Sequence, residues 1–100
     1  MTYCFYYDAP GSPQVYEMVS RELGPDRPDG LVLQLVTRVD GGLRHLNVWD
    51  SREQWESFRD DRVRPAVASV IARLGVPAPD VPPQEHGLEL VDVGPVAEAR

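Results

Sequence analysis

The chain contains no lysine: its ten basic residues are all arginines, and they face 16 acidic residues, for a net charge of −6. A surface of this charge repels phosphate backbones, and no cluster of arginines with interleaved aromatic residues offsets it. The charge therefore argues against nucleic acid and anionic membranes as partners. The chain lacks lysine and is rich in alanine, valine, proline and arginine. This composition is typical of a high-GC genome, such as that of an actinobacterium.

Cysteine and histidine are also scarce. One cysteine cannot form an internal disulfide, and Cys4 lies in an apolar segment typical of a buried structural thiol. His45 and His86 form no His-x-x-x-His pair, and there is no Cys-x-x-Cys motif and no glycine-rich phosphate loop after a strand. We therefore predict neither a metal site nor a bound cofactor.

Long apolar runs are missing as well. No run approaches the roughly 20 residues needed to span a bilayer. The first residues lack both a basic segment and a cleavage site, so they do not resemble a signal peptide. These features together predict a cytoplasmic protein.

Hydrophobic periodicity and turn residues predict six main elements, one of them interrupted. They are a strand at 2–8, a helix at 12–23, a hairpin of strands at 31–39 and 43–49, a helix from Ser51 broken at Pro65 into 51–62 and 65–74, and a strand at 85–93. The order βαββαβ predicts the α+β ferredoxin-like fold, with one four-stranded antiparallel sheet and both helices on one face. We expect residues 1–93 to form this single domain and residues 94–100 to form a loose tail.

The segment from Val48 to Phe58 is the most informative local feature. A strand ends at Trp49, and Asp50 or Ser51 then caps a helix without an intervening loop. Trp55 and Phe58 are three residues apart and so share one helical face. We expect these aromatic residues to meet Trp49 at the end of the sheet.

Strand alternation places apolar side chains on both faces of the predicted sheet. The second strand has one set at Leu31, Leu33 and Leu35 and another at Val32 and Val36. A monomer would expose a larger apolar patch than soluble proteins usually tolerate. The pattern therefore predicts a homodimer that packs sheet against sheet around a two-fold axis.

The βαββαβ order, the junction at Val48–Ser51 and the two-faced strands resemble the dimeric α+β barrel superfamily, in particular its antibiotic-biosynthesis-monooxygenase-like (ABM-like) members. The resemblance covers about residues 2–93 and implies a fold more than a chemistry. That superfamily includes cofactor-free oxygenases, haem-degrading enzymes, cyclases and isomerases. The haem-degrading members carry a helix tryptophan, a histidine about ten residues later and a strand-one asparagine. The corresponding positions here hold Phe58, Ala68 and Cys4, so the resemblance does not extend to haem degradation.

Residues of the third strand are the candidates for chemistry. Leu46 and Val48 suit the helix layer, which would direct His45, Asn47 and Trp49 into a cleft between the sheet and its partner. There His45 would accept a proton and Asn47 would orient a carbonyl or oxyanion. Two further residues complete the expected site. Tyr6 would form a stacking wall with Trp49, and Trp55 would close one end of the cleft.

Each of these residues also fits a structural role. Trp49 suits a packing anchor, Asn47 a bridge to backbone or water, His45 a half-exposed strand position, and Trp55 the core. Three functions therefore remain open. The first is a dimeric barrel that binds a small hydrophobic or aromatic molecule, and the second is a cofactor-independent monooxygenase, cyclase or isomerase that acts on an aromatic or polyketide-like compound. The third is a non-catalytic interaction module. A binder or catalyst needs a cleft of roughly 300 Å³ with convergent polar groups.

Overall fold

The computed structural model describes residues 2–78 and 81–94. Four strands and three α-helices follow one another in the order that the sequence predicts, with a π-helical turn at Arg59–Val63 between the last two helices. The strands are β1 (Tyr3–Ala9), β2 (Leu31–Val39), β3 (Gly42–Trp49) and β4 (His86–Leu88), and the helices are α1 (Pro13–Leu23), α2 (Arg52–Phe58) and α3 (Arg64–Leu74).

The four strands form one antiparallel sheet in the order β2-β3-β1-β4. With the helices packed on one face, this is the predicted ferredoxin-like arrangement. The hairpin between β2 and β3 turns at Gly41, whose φ of +80° lies in the region that favours glycine. The next position, Gly42, has no room for a side chain, because a Cβ there would collide with the carbonyl oxygen of Ala9.

A β-bulge in β2 changes which side chains share a face. Leu31 pairs with Trp49, whereas Leu33 pairs with Val48, so Val32 is the extra residue. The prediction that Leu31, Leu33 and Leu35 share one face is therefore wrong. Leu31 belongs to the helix side with Trp49, and the two later leucines belong to the opposite side.

The helices begin where the sequence predicts. Ser12 caps α1 by accepting a hydrogen bond from the backbone N–H of Val15 at 3.3 Å, and Pro13 occupies the first turn. Ser51 caps α2 in the same way, accepting from the N–H of Gln54 at 3.2 Å. The strand therefore passes into α2 through two residues, as expected.

The predicted break before Pro65 takes another form: the chain stays helical through a π-helical turn at Arg59–Val63, and α2 ends at Phe58 instead of at residue 62. The N–H of Arg64 donates to the carbonyl of Arg59, five residues back, and α3 then starts with Pro65 in its first turn. Proline in a regular helix collides with the carbonyl four residues earlier and donates no hydrogen bond. The wider turn absorbs the misfit, and the chain continues helically to the left-handed cap at Gly75.

The C-terminal strand is shorter than the sequence predicts, since β4 spans three residues instead of nine. Weak alternation after Leu88 is not enough to continue pairing along an edge strand. The predicted tail at 94–100 falls almost wholly outside the described residues, which end at Gly94. No helix in the described part of the chain is long and apolar enough to cross a membrane.

The core lies between the sheet and α2. Phe5, Trp49 and Trp55 are almost fully buried, and Phe58 and Leu31 pack against them. The ring centroids of Trp49 lie 5.6 Å from both Trp55 and Phe58. The three aromatic residues of the strand–helix junction therefore meet as predicted, and truncating a buried aromatic residue of this kind costs about 3–5 kcal/mol.

Candidate functional site

His45, Asn47 and Trp49 point toward the helices. They pair across the sheet with Tyr7, Phe5 and Tyr3 respectively. Trp49 contacts Trp55 of α2, and the His45 ring lies 5.8 Å from that of Tyr16 in α1. The expectation that this row faces away from the helices is therefore wrong.

Volume explains the reversed orientation. The layer between sheet and helices is filled by large aromatic side chains, and most aromatic residues of β1 and β3 lie on the face that carries Phe5 and Trp49. Cys4, Leu46 and Val48 are smaller and occupy the opposite face, because alternation forces the two sets apart. Leu46 and Val48 therefore do not form the helix layer, contrary to the sequence-based expectation.

Asn47 is the buried polar residue of this layer, with 2% of its surface exposed. Its Oδ1 accepts a hydrogen bond from the indole N–H of Trp49 at 3.2 Å. Because an indole nitrogen only donates, this bond fixes the amide orientation and turns the Nδ2 group the other way. Nδ2 is buried and has no hydrogen-bond partner among the described residues.

His45 lies two residues before Asn47 on the same face. Its ring stacks on Tyr7 with centroids 4.7 Å apart and planes 9° apart. Burial lowers the pKa of the imidazole below its ordinary value, and the nearby negative charge of Asp8 opposes this only in part. The Nδ1 atom is buried without a partner in the described part of the chain.

The two unpartnered atoms make one local feature. Residues two apart on a strand have Cα atoms roughly 6.6 Å apart, so His45 and Asn47 occupy neighbouring inward positions of β3. Buried polar groups are nearly always hydrogen-bonded, which makes two in adjacent inward positions unusual. The rings of Tyr7 and Tyr16 lie beside His45, and the indole of Trp49 is hydrogen-bonded to Asn47.

Tyr6 is not part of this cluster. It pairs with Leu46 and lies on the opposite face, where its ring stacks on His86 at 4.8 Å. The guanidinium of Arg44 lies 4.6 Å from the same ring and forms an ion pair with Asp8 at 2.8 Å. The expectation that Tyr6 and Trp49 form one stacking wall is therefore wrong.

Trp55 does lie beside Trp49, but its polar atom points elsewhere. The indole N–H donates to the carboxylate of Glu85 at 3.0 Å. Arg59 and Tyr3 donate to the same carboxylate, at 3.0 and 3.3 Å. Sequence reasoning missed Glu85 and Arg59, because a carboxylate before a weak strand and an arginine in a helix carry no signal that they will meet.

Two surface concavities, each of about 330 Å³, lie away from the His45–Asn47 pair. One is bordered by Asp29, Gln54 and Phe58 beside α2, and the other by Ser12, Arg38 and Leu43 near the hairpin. Both exceed the volume expected of a binding cleft, yet neither is lined by a residue of the predicted site. Among the described residues no group of three His, Cys, Asp or Glu side chains is placed to hold a metal ion.

Comparison with known proteins identifies a shared fold. No protein-family model matches the chain, and no curated protein matches it either. The structure of Rv0793 from Mycobacterium tuberculosis superimposes with a TM-score of 0.57, covering 95% of this chain and 100% of that chain at 16% sequence identity. At this identity the likeness shows a shared small α+β fold: a four-stranded antiparallel sheet with helices packed against it.

Proposed function

We propose that this protein binds a small planar molecule carrying a hydroxyl or carbonyl oxygen at Asn47 and His45, in the layer between the sheet and the helices. Because neither described concavity reaches this pair, binding requires the helices to move away from the sheet at this point. The observation that carries the proposal is the Asn47 amide, whose oxygen is engaged by Trp49 while its buried Nδ2 has no partner among the described residues. A ligand oxygen would accept a hydrogen bond from that group.

The chemistry of the pair favours an aromatic alcohol or an enol. Burial favours the neutral imidazole of His45, whose unprotonated ring nitrogen accepts a hydrogen bond from a hydroxyl. Asn47 Nδ2 donates to the same class of oxygen atom. The flat rings of Tyr7 and Tyr16 lie beside His45 and favour a planar ligand.

The test uses two histidines in matched settings. His45 stacks on Tyr7 at 4.7 Å and His86 stacks on Tyr6 at 4.8 Å, on opposite faces of the sheet. His45→Phe keeps the stacked ring and removes Nδ1, and His86→Phe is its control. We expect phenol to bind the wild type and His86→Phe equally, and to bind His45→Phe about tenfold more weakly, as fits the loss of one hydrogen bond. Equal phenol affinity in all three proteins, measured by calorimetry, would exclude the site.

A water molecule is the competing occupant of the pair. Benzene, which has no oxygen, separates the two cases. If phenol binds through Asn47 and His45, benzene binds more weakly and does not distinguish the two histidine variants. If water occupies the pair, phenol and benzene bind alike or not at all.

The neutral imidazole also favours a second function, catalysis at the same site. A base beside an indole and an amide donor can take the proton of an aromatic hydroxyl, the first step for a cofactor-independent oxygenase, cyclase or isomerase. Oxygen uptake with a dihydroxynaphthalene, present in the wild type and absent in His45→Phe, would support the oxygenase. Binding of the same compound without uptake or conversion would leave binding as the function.

We also propose a homodimer formed through the sheet face opposite the helices. That face carries Leu33 beside Val48 and Leu35 beside Leu46, and two leucines at its sides remain exposed, Leu35 by 50% and Leu88 by 41%. Apolar side chains in this arrangement favour a second copy as cover. We further propose that the chain belongs to the ABM-like dimeric α+β barrels, which the ferredoxin-like fold and the direct β3–α2 junction support. We also propose that it is a cytoplasmic protein.

A further inference from the structure

Three hydrogen-bond donors converge on the carboxylate of Glu85. Its Oε1 accepts from the phenol of Tyr3 at 3.3 Å, and its Oε2 accepts from the indole of Trp55 and the guanidinium of Arg59, both at 3.0 Å. The arrangement is well shielded, with 22% of the Arg59 side chain and 18% of the Glu85 side chain exposed. None of its residues belongs to the His45–Asn47 pair, and it does not depend on any function of that pair.

The donors are held in place without help from Glu85. The Tyr3 ring stacks on Phe5 at 4.8 Å, and Trp55 is buried against the same ring at 4.9 Å. Arg59 is anchored separately by Asp60, through contacts of 2.9 and 3.4 Å. Because β1, α2 and the π-helical turn each contribute one donor, the fold itself assembles the three.

The segment that carries Glu85 is attached far less firmly. Residues 81–84 and 86–89 are all exposed, and Glu85 is the half-buried residue between them. The strand that follows, β4, pairs with β1 over three residues at the edge of the sheet. The carboxylate therefore anchors this short edge strand together with its pairing to β1 and the stacking of His86 on Tyr6.

We propose that Tyr3, Trp55 and Arg59 form a binding site for a small carboxylate, which Glu85 fills from within the chain, and that a free carboxylate displaces it and releases the β4 edge. The site offers an O–H and two N–H donors, one of them charged, to an acceptor with two oxygens. This matches a planar carboxylate. Asp60 and Glu56 lie close to Arg59 and Tyr3, so a more highly charged anion is less suited.

The test removes the internal carboxylate with Glu85→Ala and supplies sodium acetate. The chain has two tryptophans, so its NMR spectrum contains two indole N–H signals. We expect the Trp55 signal to move in Glu85→Ala and to return, saturably, when acetate is added. The Trp49 signal should stay in place, because its indole donates to Asn47. The wild type should need at least about tenfold more acetate, since a tethered group acts at millimolar effective concentration.

Controls separate a specific site from general salt effects. Acetamide and sodium chloride at matched concentrations should leave the Trp55 signal of Glu85→Ala unchanged. Glu89→Ala removes an exposed carboxylate from the same segment and should behave as the wild type. Adding Arg59→Met to Glu85→Ala should abolish the response to acetate. A folded Glu85→Ala that shows no saturable response, or a response equal to that of the wild type, would overturn the proposal.

A second measurement covers the case in which Glu85→Ala does not fold. Glu85→Gln keeps the side-chain shape with a weaker, neutral acceptor, and should respond to acetate at lower concentration than the wild type. In the wild type, acetate should also speed the hydrogen exchange of backbone amides in β4 while leaving those of β3 unchanged. Exchange in β4 that is insensitive to acetate, in a protein whose Trp55 signal also stays fixed, would contradict release of the edge.

Discussion

A buried histidine ties the stability of this protein to pH at the residue scale. Burial holds the pKa of His45 in the folded state below the ordinary value of 6.5. As pH falls below 6.5 the unfolded chain therefore takes up a proton more readily than the folded one. With respect to His45, the free energy of unfolding should therefore be highest above pH 6.5. It should decline as pH falls from 6.5 toward the lower pKa of the folded state.

Urea unfolding at a series of pH values between about 6.5 and 5, above the range in which most carboxylates titrate, measures this decline. His45→Phe should flatten the slope in that window. If His45→Phe keeps the wild-type slope, His45 is not the residue responsible.

The residue types of the candidate site could be predicted from the sequence, but their orientation could not. Strand alternation separates His45, Asn47 and Trp49 from Leu46 and Val48, and the structure keeps that separation. Which set faces the helices depends on the volume of the layer between sheet and helices, and that volume is not a local property of β3. The bond from Trp49 to Asn47 depends on side-chain conformation within that layer and has no sequence signal.

At the scale of the element, the start of α2 depends on a single side chain, and its removal should lower the stability of the protein. Ser51 Oγ accepts the N–H of Gln54 at 3.2 Å at the point where β3 passes into α2. Ser51→Ala leaves that N–H without its cap and should lower the free energy of unfolding by about 1 kcal/mol. Ser20→Ala is the control, because Ser20 is exposed within α1, where alanine favours the helix. Denaturant unfolding of both variants gives the comparison, and equal stabilities would show that the cap contributes nothing.

Most elements are predictable because their signals are local. Ser12 with Pro13, Gly41, Ser51 and Gly75 each act on their own turn, and the structure places a boundary at each. The π-helical turn is different. Pro65 predicts a disruption but not its form, because one added residue per turn and a simple kink both relieve the same collision.

The shortness of β4 and the bulge at Val32 also escaped prediction. Both depend on pairing with a neighbouring strand, which a single segment does not encode. The bulge had the larger effect, because one extra residue moves every later side chain of β2 to the other face. Leu31 thereby joins the core instead of the opposite face.

The proposed dimer gives the prediction at the scale of the whole molecule. Leu35 and Leu74 are similarly exposed, by 50% and 44%, but Leu35 lies on the sheet face opposite the helices and Leu74 at the end of α3. Leu35→Asp would bury an unpaired charge in a dimer, at a cost of several kcal/mol, whereas Leu74→Asp would not.

Sedimentation at micromolar concentration should then give a dimer for the wild type and Leu74→Asp, and a folded monomer for Leu35→Asp. A wild type that sediments as a folded monomer would contradict the dimer. The sequence predicted apolar residues on both faces and assigned the helices to the wrong one, and this comparison tests the face that the helices leave open.

The central claim is that the Asn47 amide binds a ligand oxygen between the sheet and the helices. Asn47 is the single asparagine of the chain, so protein labelled with ¹⁵N-asparagine has one side-chain NH₂ pair. Titration with phenol, at constant pH, should shift that pair saturably in the wild type and in His86→Phe, with a weaker response in His45→Phe. An NH₂ pair that stays fixed at phenol concentrations that saturate the protein would contradict the claim.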